Sequence, residues 1–398
     1  MEKNSQLIEQ IDLYRTKNFE PLPMVVSKAK GVWIETVGKK RYLDMIGAYG
    51  ALNQGHCHPR IVEALKRQAD RAALVSDALY NDQQGRLYQR LAQLTKKDRI
   101  FLANAGVEAV EAALKLARRW GYLIKGVRKD CAEIIVCEGN FHGRTIAVVS
   151  FSDDERVKAG FGGYTPGFKS IPFGSAEALG DAITPNTVAF LVEPIQGRGI
   201  RVPPPGFLRN AFEVCQRNRV LLLADEVQTG FGRTGRLFCC DWEGVEPDVY
   251  IMGKALGGGV YPVSAVAANG EIFDVLGPGS HGTTYGANPL ACAVALAALD
   301  VVEQENLPQR SHELGEYFIR GLMNLPGAAI RAVRGRGLYI GVELTEPAGP
   351  YCERLREQGI LCKSSGMNVL RLVPPLGITR EELDWALERM QRVLFRNL

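Results

Sequence analysis

Short apolar runs and amphipathic stretches alternate along most of this chain, and their spacing predicts its elements. Between residues 85 and 300 the apolar runs fall at 100–103, 133–137, 187–192, 220–224, 249–252 and 263–267. Each is too short for a helix and apolar on both faces, as strands buried on both sides are. The stretches 106–122, 207–218 and 289–304 repeat apolar residues at helical spacing instead. Strands and helices in alternation predict an α/β fold with a mostly parallel central sheet covered by helices on both faces.

The flanks read differently. Glu20-Pro21-Leu22-Pro23 suggests an extended arm, and the segments 32–36 and 41–45 suggest a small β-meander. Pro59 opens a helical pattern through Ile61, Val62, Leu65 and Gln68. Beyond residue 305 the pattern predicts a helix near 312–325, a strand at 338–343, a helix near 350–358 and a strand at 369–373. The closing helix begins with a capping box, Thr379 and Glu382, and spaces Leu383, Leu387, Met390 and Leu394 along one face. The expected organisation is an arm and meander over 1–50, a large domain over 51–304 and a smaller α+β domain over 305–398, to which 1–50 also contributes. No repeat or low-complexity linker separates the two domains, so they are expected to pack tightly.

Composition narrows the classes of function. A net charge of +4 with dispersed basic residues offers no footprint for nucleic acid or an anionic membrane. No apolar run approaches the length of a bilayer span, and the polar N-terminus does not read as a secretory signal, so a cytoplasmic location is expected. The nine cysteines form no CxxC pair, and Cys137, Cys215 and Cys292 lie inside apolar runs, which suits free thiols in a reducing compartment. His56, His58, His142, His281 and His312 lack ligand spacing, so no metal is expected.

Candidate chemistry gathers where predicted strands end. The run 220–224 ends in Asp225 and Glu226, and the run 249–252 ends in Gly253-Lys254, with Gly257 to Gly259 beyond. Taken singly, Asp225 also fits a turn cap and Lys254 a solvated loop lysine. Asn104-Ala105-Gly106-Val107-Glu108 joins a strand to a long helix, and its free backbone N–H groups suit a phosphate. Gly139-Asn140-Phe141-His142-Gly143-Arg144 places aromatic residues between glycines, and His281-Gly282-Thr283-Thr284 adds two hydroxyls. A phosphate cradle, an aromatic face, a buried carboxylate and a lysine together fit pyridoxal 5′-phosphate, whose aldehyde joins a lysine and whose ring nitrogen needs a carboxylate.

These motifs, with Asp225-Glu226-Val227-Gln228-Thr229-Gly230 and Gly253-Lys254-Ala255-Leu256 the most specific, resemble the class III pyridoxal-phosphate aminotransferases of fold type I, and most of all their ornithine aminotransferase branch. The resemblance runs nearly end to end, from Asn18-Phe19-Glu20-Pro21 to Leu370-Arg371-Leu372-Val373. It implies that Lys254 is the Schiff-base lysine and proton carrier, passing the amino group through pyridoxamine phosphate, with Asp225 on the pyridinium nitrogen. It further implies Gln228 at the ring hydroxyl, Phe141 and Val227 on the ring faces, and His142 beside the cofactor. Gly106 and Val107 would hold the phosphate, with Thr283 and Thr284 nearby and Thr284 reaching the phosphate of a neighbouring subunit in a homodimer. Phe19, Tyr49, Arg144, Glu193, Arg198 and Arg371 would line the substrate, an amino donor followed by a 2-oxo acid such as 2-oxoglutarate.

Two departures from the family bear on the donor. A gate glutamate expected after Glu193-Pro194-Ile195-Gln196-Gly197 is missing, and Arg198 stands there, either beside Arg371 or turned outward. Phe19 occupies a position where the family branch carries a tyrosine. Ala105 also lacks the hydroxyl usual before Gly106, a loss on the order of 1 kcal/mol. An amino acid racemase or epimerase of the same class, or a non-catalytic protein on this fold, remains open on the motifs alone.

Overall fold

The computed structural model describes residues 2–76, 78–326 and 329–395. Within the stretch expected to hold only an arm and a meander lies a helix, Glu2–Tyr14. Ile11, Leu13 and Tyr14 of this helix are exposed, so its sequence carries no clear buried stripe. A meander follows, β1 (Val26–Lys30), β2 (Trp33–Thr36) and β3 (Arg41–Asp44), paired antiparallel in that order.

The centre is a seven-stranded sheet. Its strands are β4 (Arg99–Ala103), β5 (Glu133–Cys137), β6 (Phe168–Ile171), β7 (Thr187–Val192), β8 (Leu221–Asp225), β9 (Val249–Met252) and β10 (Ser264–Ala268). They lie in the order β4-β10-β9-β8-β7-β5-β6. Neighbours from β6 to β9 pair in parallel, whereas β10 runs against both β9 and β4. Successive residues of the same strand serve opposite cores, as the two-residue repeat of a strand requires. Leu221 and Leu223 face the helix Gly106–Trp120, while Leu222 and Ala224 face the helix Phe207–Arg217. That double burial is why the runs read as continuously apolar.

Two details differ from expectation. β6 was not anticipated, because the edge strand Phe168–Ile171 buries one side chain fully and leaves two exposed. The helix expected over 106–122 ends at Trp120 and widens into a π turn, Gly121–Lys125. Gly121 sits there because a Cβ would come within 2.1 Å of Val188 Cγ1 on β7.

The remaining strands are β11 (Ile330–Arg336), β12 (Tyr339–Leu344), β13 (Ile360–Leu361), β14 (Lys363–Ser365) and β15 (Val369–Leu372). Four form a sheet in the order β11-β12-β15-β14, and β13 instead joins the meander in parallel beside β3. The closing helix Arg380–Leu394 carries its capping box: Thr379 Oγ1 accepts from Glu382 N, and Glu382 Oε2 accepts from Thr379 N. Glu382 Oε1 also accepts from Trp33 Nε1 at 2.7 Å, binding this helix to the meander.

A fully buried arginine ties the parts together. Arg233 donates to Asn53 Oδ1, to Leu338 O at 3.1 Å and to Pro374 O at 2.6 Å. Burial lowers its pKa to about 9, yet these oxygens satisfy its donors without a carboxylate. Among the described residues no helix is long and apolar enough to cross a membrane.

Candidate active site

Strands β4 to β9 share one direction except where β10 intervenes, so their carboxyl ends open on one edge of the sheet, where open α/β sheets bind ligands. β8 ends at Asp225, β9 leads to Lys254, β7 to Glu193, β5 to the loop 139–144 and β4 to the turn 104–106. Five strand ends thus supply one cleft. A cavity of about 180 Å³ is lined there by Gly106, Val107, Phe141, Glu193, Asp225, Val227, Gln228 and Lys254, among others. A second cavity of about 410 Å³ shares Gly106 and Lys254 and runs on past Tyr261. Lys254 itself adopts φ +44°, a left-handed conformation that sparsely populated functional positions often hold.

The charges in the cleft shape one another. Asp225 Oδ2 pairs with His142 Nδ1 at 2.6 Å, and Oδ1 accepts from Val227 N at 3.0 Å. Burial is the largest single influence on His142 and opposes its charge, but the hydrogen bond to Asp225 and the charges of Asp225 and Glu193 together outweigh it and raise the imidazole pKa. Glu193 is buried and holds two amides, Phe141 N and Gly197 N, both at 2.8 Å. Burial pushes its carboxyl up despite those bonds. Burial, with help from Arg371, lowers the Lys254 amine to about 7, against the pull of Asp225 and Glu193. An amine so shifted is substantially neutral at neutral pH.

The turn before the helix Gly106–Trp120 is arranged for an anion. Glu108 Oε2 accepts from Asn104 N at 2.7 Å and Ala105 N at 2.9 Å, leaving Gly106 and Val107 at the head of the helix, where N–H groups lack intrahelical acceptors. Thr283 Oγ1 accepts from Asn104 Nδ2 at 3.1 Å and lies 3.3 Å from Glu108 Oε1, so its hydroxyl secures the turn. Thr284 is exposed. Gly106 fits closely: a Cβ would stand 3.0 Å from Val227 Cγ1 and push that side chain aside by a few tenths of an ångström.

On the facing side, Arg371 of β15 donates to Gln228 Oε1 at 2.7 Å and to Tyr49 O at 3.3 Å. Tyr49 belongs to a run of four left-handed residues, Gly47 to Gly50, and its ring lies 5.5 Å from the Arg371 guanidinium. Gly47 is required there, since a Cβ would come within 2.2 Å of Val373 O. Arg198 turns to Asp153 at 3.2 Å and Asp154 at 3.5 Å, taking the outward of its two expected positions. Asp153 also accepts from Gly139 N at 2.7 Å, so the pair braces the loop that carries Phe141. Arg144 is exposed, 5.9 Å from the Phe141 ring. Phe19 lies on the N-terminal arm under Lys363 Nζ, 4.6 Å away, outside the walls of both cavities.

A lysine amine lowered to about 7, a buried carboxylate, a cavity lined by Phe141 and Val227 and a helix N-terminus at Gly106 fit pyridoxal phosphate on chemical grounds. The profile of the family described as aminotransferase class-III matches residues 14–394. The chain belongs to that family. This aminotransferase is 57% identical over 394 residues to the ornithine aminotransferase of Geobacillus sp. (strain WCH70), covering 99% of both chains. It is 55% identical over 395 residues to that of Bacillus subtilis (strain 168), covering 99% of this chain and 98% of the relative. The solved ornithine aminotransferase of Toxoplasma gondii, whose active site holds the cofactor at partial occupancy, superposes with a TM-score of 0.96 at 41% identity, over 98% of this chain and 94% of its own. An acetylornithine aminotransferase from Elizabethkingia anophelis gives 0.90 at 42% identity, over 98% of each chain. The fold is that of fold type I, the cofactor is pyridoxal 5′-phosphate and the reaction is transamination; racemisation is not favoured.

The structure of the aminotransferase brings Asp225, Gln228, Lys254, Gly106, Val107, Phe141, His142, Val227 and Glu193 to one cavity. It also adds groups that sequence reasoning missed. Tyr339 reaches Gln228, and Gly143, at φ +126°, is needed because a Cβ would meet Val107 Cγ2 at 2.3 Å. The glycine had a signal in its strand-end loop; a tyrosine within an apolar strand had none. Among the described residues no group of three or more His, Cys, Asp or Glu could hold a metal.

Glu226, beside Asp225, points away into the core, accepting from Thr229 Oγ1 at 2.5 Å and Cys240 N at 2.8 Å. Burial raises its carboxyl to about 7 against those bonds. An acid raised on folding contributes stability that is present below its ordinary pKa of 4.5 and lost as pH rises through about 7. Glu226→Gln is therefore expected to flatten the fall in stability between those limits, by roughly 3 kcal/mol. Denaturant midpoints measured at both ends of the window check this; an unchanged slope in the variant contradicts it.

Proposed function

We propose that this aminotransferase moves the δ-amino group of ornithine, or of a donor closely like it, to a 2-oxo acid, with 2-oxoglutarate the expected acceptor. The observation that carries the reading is the convergence of Lys254, Asp225, Gln228 and Arg371 around one cleft, in a chain 55–57% identical to bacterial proteins named ornithine aminotransferases. When bound, pyridoxal phosphate supplies an aldehyde that carries the amino group and a ring that takes up an electron pair. The residues do the rest. Lys254, with a large neutral fraction near pH 7, would anchor the aldehyde and shuttle the proton at the carbon bearing the amino group. Asp225, steadied by His142, keeps positive charge at the ring nitrogen. Phe141 and Val227 cover the ring, Gly106 and Val107 hold the phosphate, and Arg371 and Arg144 receive carboxylates.

In a division into a cofactor-binding domain over 51–304 and a small domain from 1–50 and 305–398, the first supplies the walls of the cavity and the second brings Tyr49 and Arg371 to its facing side. A homodimer completes the reading. Asn81 Nδ2 to Ala287 O, and Leu290 N to Ala73 O, tie segments that expose Leu79, Tyr80 and Tyr285 beside Thr284. A second copy covering these side chains would bring Thr284 to the neighbouring phosphate. The nine cysteines, all without disulfides, suit a cytoplasmic setting.

One observation favours a second reading in which the α-amine reacts. Among the described residues Arg371 has no carboxylate partner, so it stays open to the carboxylate beside an α-amine. Ornithine isotopically labelled at the δ-nitrogen tests the choice. Label in the glutamate formed from 2-oxoglutarate is the expected result; label retained in the donor-derived product supports the α-amine instead.

A further inference from the structure

Gln228 is gripped from one side. Its Oε1 accepts from Arg371 Nη2 at 2.7 Å and from the Tyr339 hydroxyl at 3.2 Å. A guanidinium carries no acceptor, so the amide oxygen must be the atom that faces it, which removes the usual ambiguity of an amide's two ends. The amide lies flat against Gly197, where a Cβ would come within 2.4 Å of Nε2 and 3.0 Å of Oε1, so with the oxygen held by its two donors the NH₂ end is left without either of them.

The two donors differ in their freedom. Arg371 is only partly buried, and its guanidinium stands ready to turn toward a substrate carboxylate. Tyr339 is completely buried at the start of β12, packed with Ile195, Ile200, Cys239 and Val373. Burial also pushes its phenol pKa up, so the hydroxyl keeps its proton and remains a donor. Once a carboxylate takes Arg371, the amide of Gln228 loses its stronger partner. A flipped amide would then aim an oxygen, not an NH₂, at an anionic ring oxygen.

We propose that Tyr339 is a positioning residue whose hydroxyl keeps the Gln228 amide oxygen turned from the cofactor, and its NH₂ toward it, while Arg371 is engaged by a substrate carboxylate. This rests on the reading that Gln228 faces the ring oxygen of the cofactor. The two readings separate in one experiment on the holoenzyme. Tyr339→Phe, Gln228→Ala and the double variant are titrated with pH while the visible absorbance of the bound cofactor is followed. Each titration is run with and without a saturating dicarboxylate that carries no amine or carbonyl.

A hydrogen-bond donor favours the charged oxygen, so its loss moves the absorbance midpoint upward. Gln228→Ala is expected to raise the midpoint in both conditions, and Tyr339→Phe only with the dicarboxylate present, when Arg371 no longer holds the amide. The double variant is expected to match Gln228→Ala. In turnover, Tyr339→Phe is expected to lower kcat about five-fold, the loss of one hydrogen bond, with KM for the 2-oxo acid within about two-fold. A normal midpoint for Tyr339→Phe with the dicarboxylate, beside a shifted Gln228→Ala, overturns the role of Tyr339. Additive shifts in the double variant overturn it as well. An unshifted Gln228→Ala removes the ring contact itself, and the proposal with it.

Discussion

Replacing Lys254 by alanine is expected to lower single-turnover amino transfer by about 10⁴-fold or more, the scale of a lost general acid–base group, before the lost covalent anchor is added. The reason lies in the surroundings of the amine. Burial and the Arg371 guanidinium bring it to about 7, so a large neutral fraction exists where an ordinary lysine would be almost wholly protonated. Capture of pyridoxal phosphate by the apoprotein is therefore expected to accelerate as pH rises through about 7 and then level off. A rate still climbing at pH 9 would show that the amine is not depressed. Arg371→Ala, by removing the repelling charge, is expected to move that midpoint upward. The same shift has a thermodynamic side. A lysine lowered on folding contributes stability that is present above 10.5 and lost as pH falls through about 7, so the apoprotein is expected to weaken on that descent and the Lys254→Ala apoprotein to weaken less. Stopped-flow absorbance and apoprotein melting curves make the two measurements.

Asp225→Asn is expected to be the second most damaging change, lowering kcat by about 10³-fold while leaving the fold intact. The amide is nearly isosteric and can still accept from Val227 N, so the backbone turn survives. What disappears is the negative charge that both steadies His142 and would hold a proton on the ring nitrogen. The imidazole pKa is expected to fall in the variant, because burial is then opposed only by the more weakly acting Glu193. Histidine NMR signals followed against pH, alongside kcat, check both outcomes. A full kcat in Asp225→Asn would falsify the assignment of Asp225 to the ring nitrogen.

Much of this was legible because the local and global signals agree. β5, β7, β8 and β9 are largely apolar runs, since each is buried on both faces, and each leads within a few residues to a group that lines the cleft. The capping box of the last helix and the turn at 104–106 are local patterns with local causes. What escaped depends on approach between distant segments. Tyr339 reads as one more strand residue until β12 is placed beside Gln228. The orientation of Arg198 depends on Asp153 and Asp154, more than forty residues earlier, and no periodicity announces such a pair. The edge strand β6 and the first helix expose much of their surface, so their patterns lack the burial that makes an element readable.

The placement of β13 beside β3 has a consequence for how the chain is made. Leu43 and Asp44 find their strand partners in Ile360 and Leu361, and the buried Arg233 waits for Leu338 and Pro374. During synthesis from the N-terminus, the meander therefore emerges with one edge unsatisfied and keeps it so while some three hundred further residues are added. At ribosomal speeds that interval is roughly 15–60 s. An unpaired strand edge is a site where chains adhere to one another. The newborn polypeptide thus passes through a period of vulnerability that ends only when its last tenth returns to close over its first.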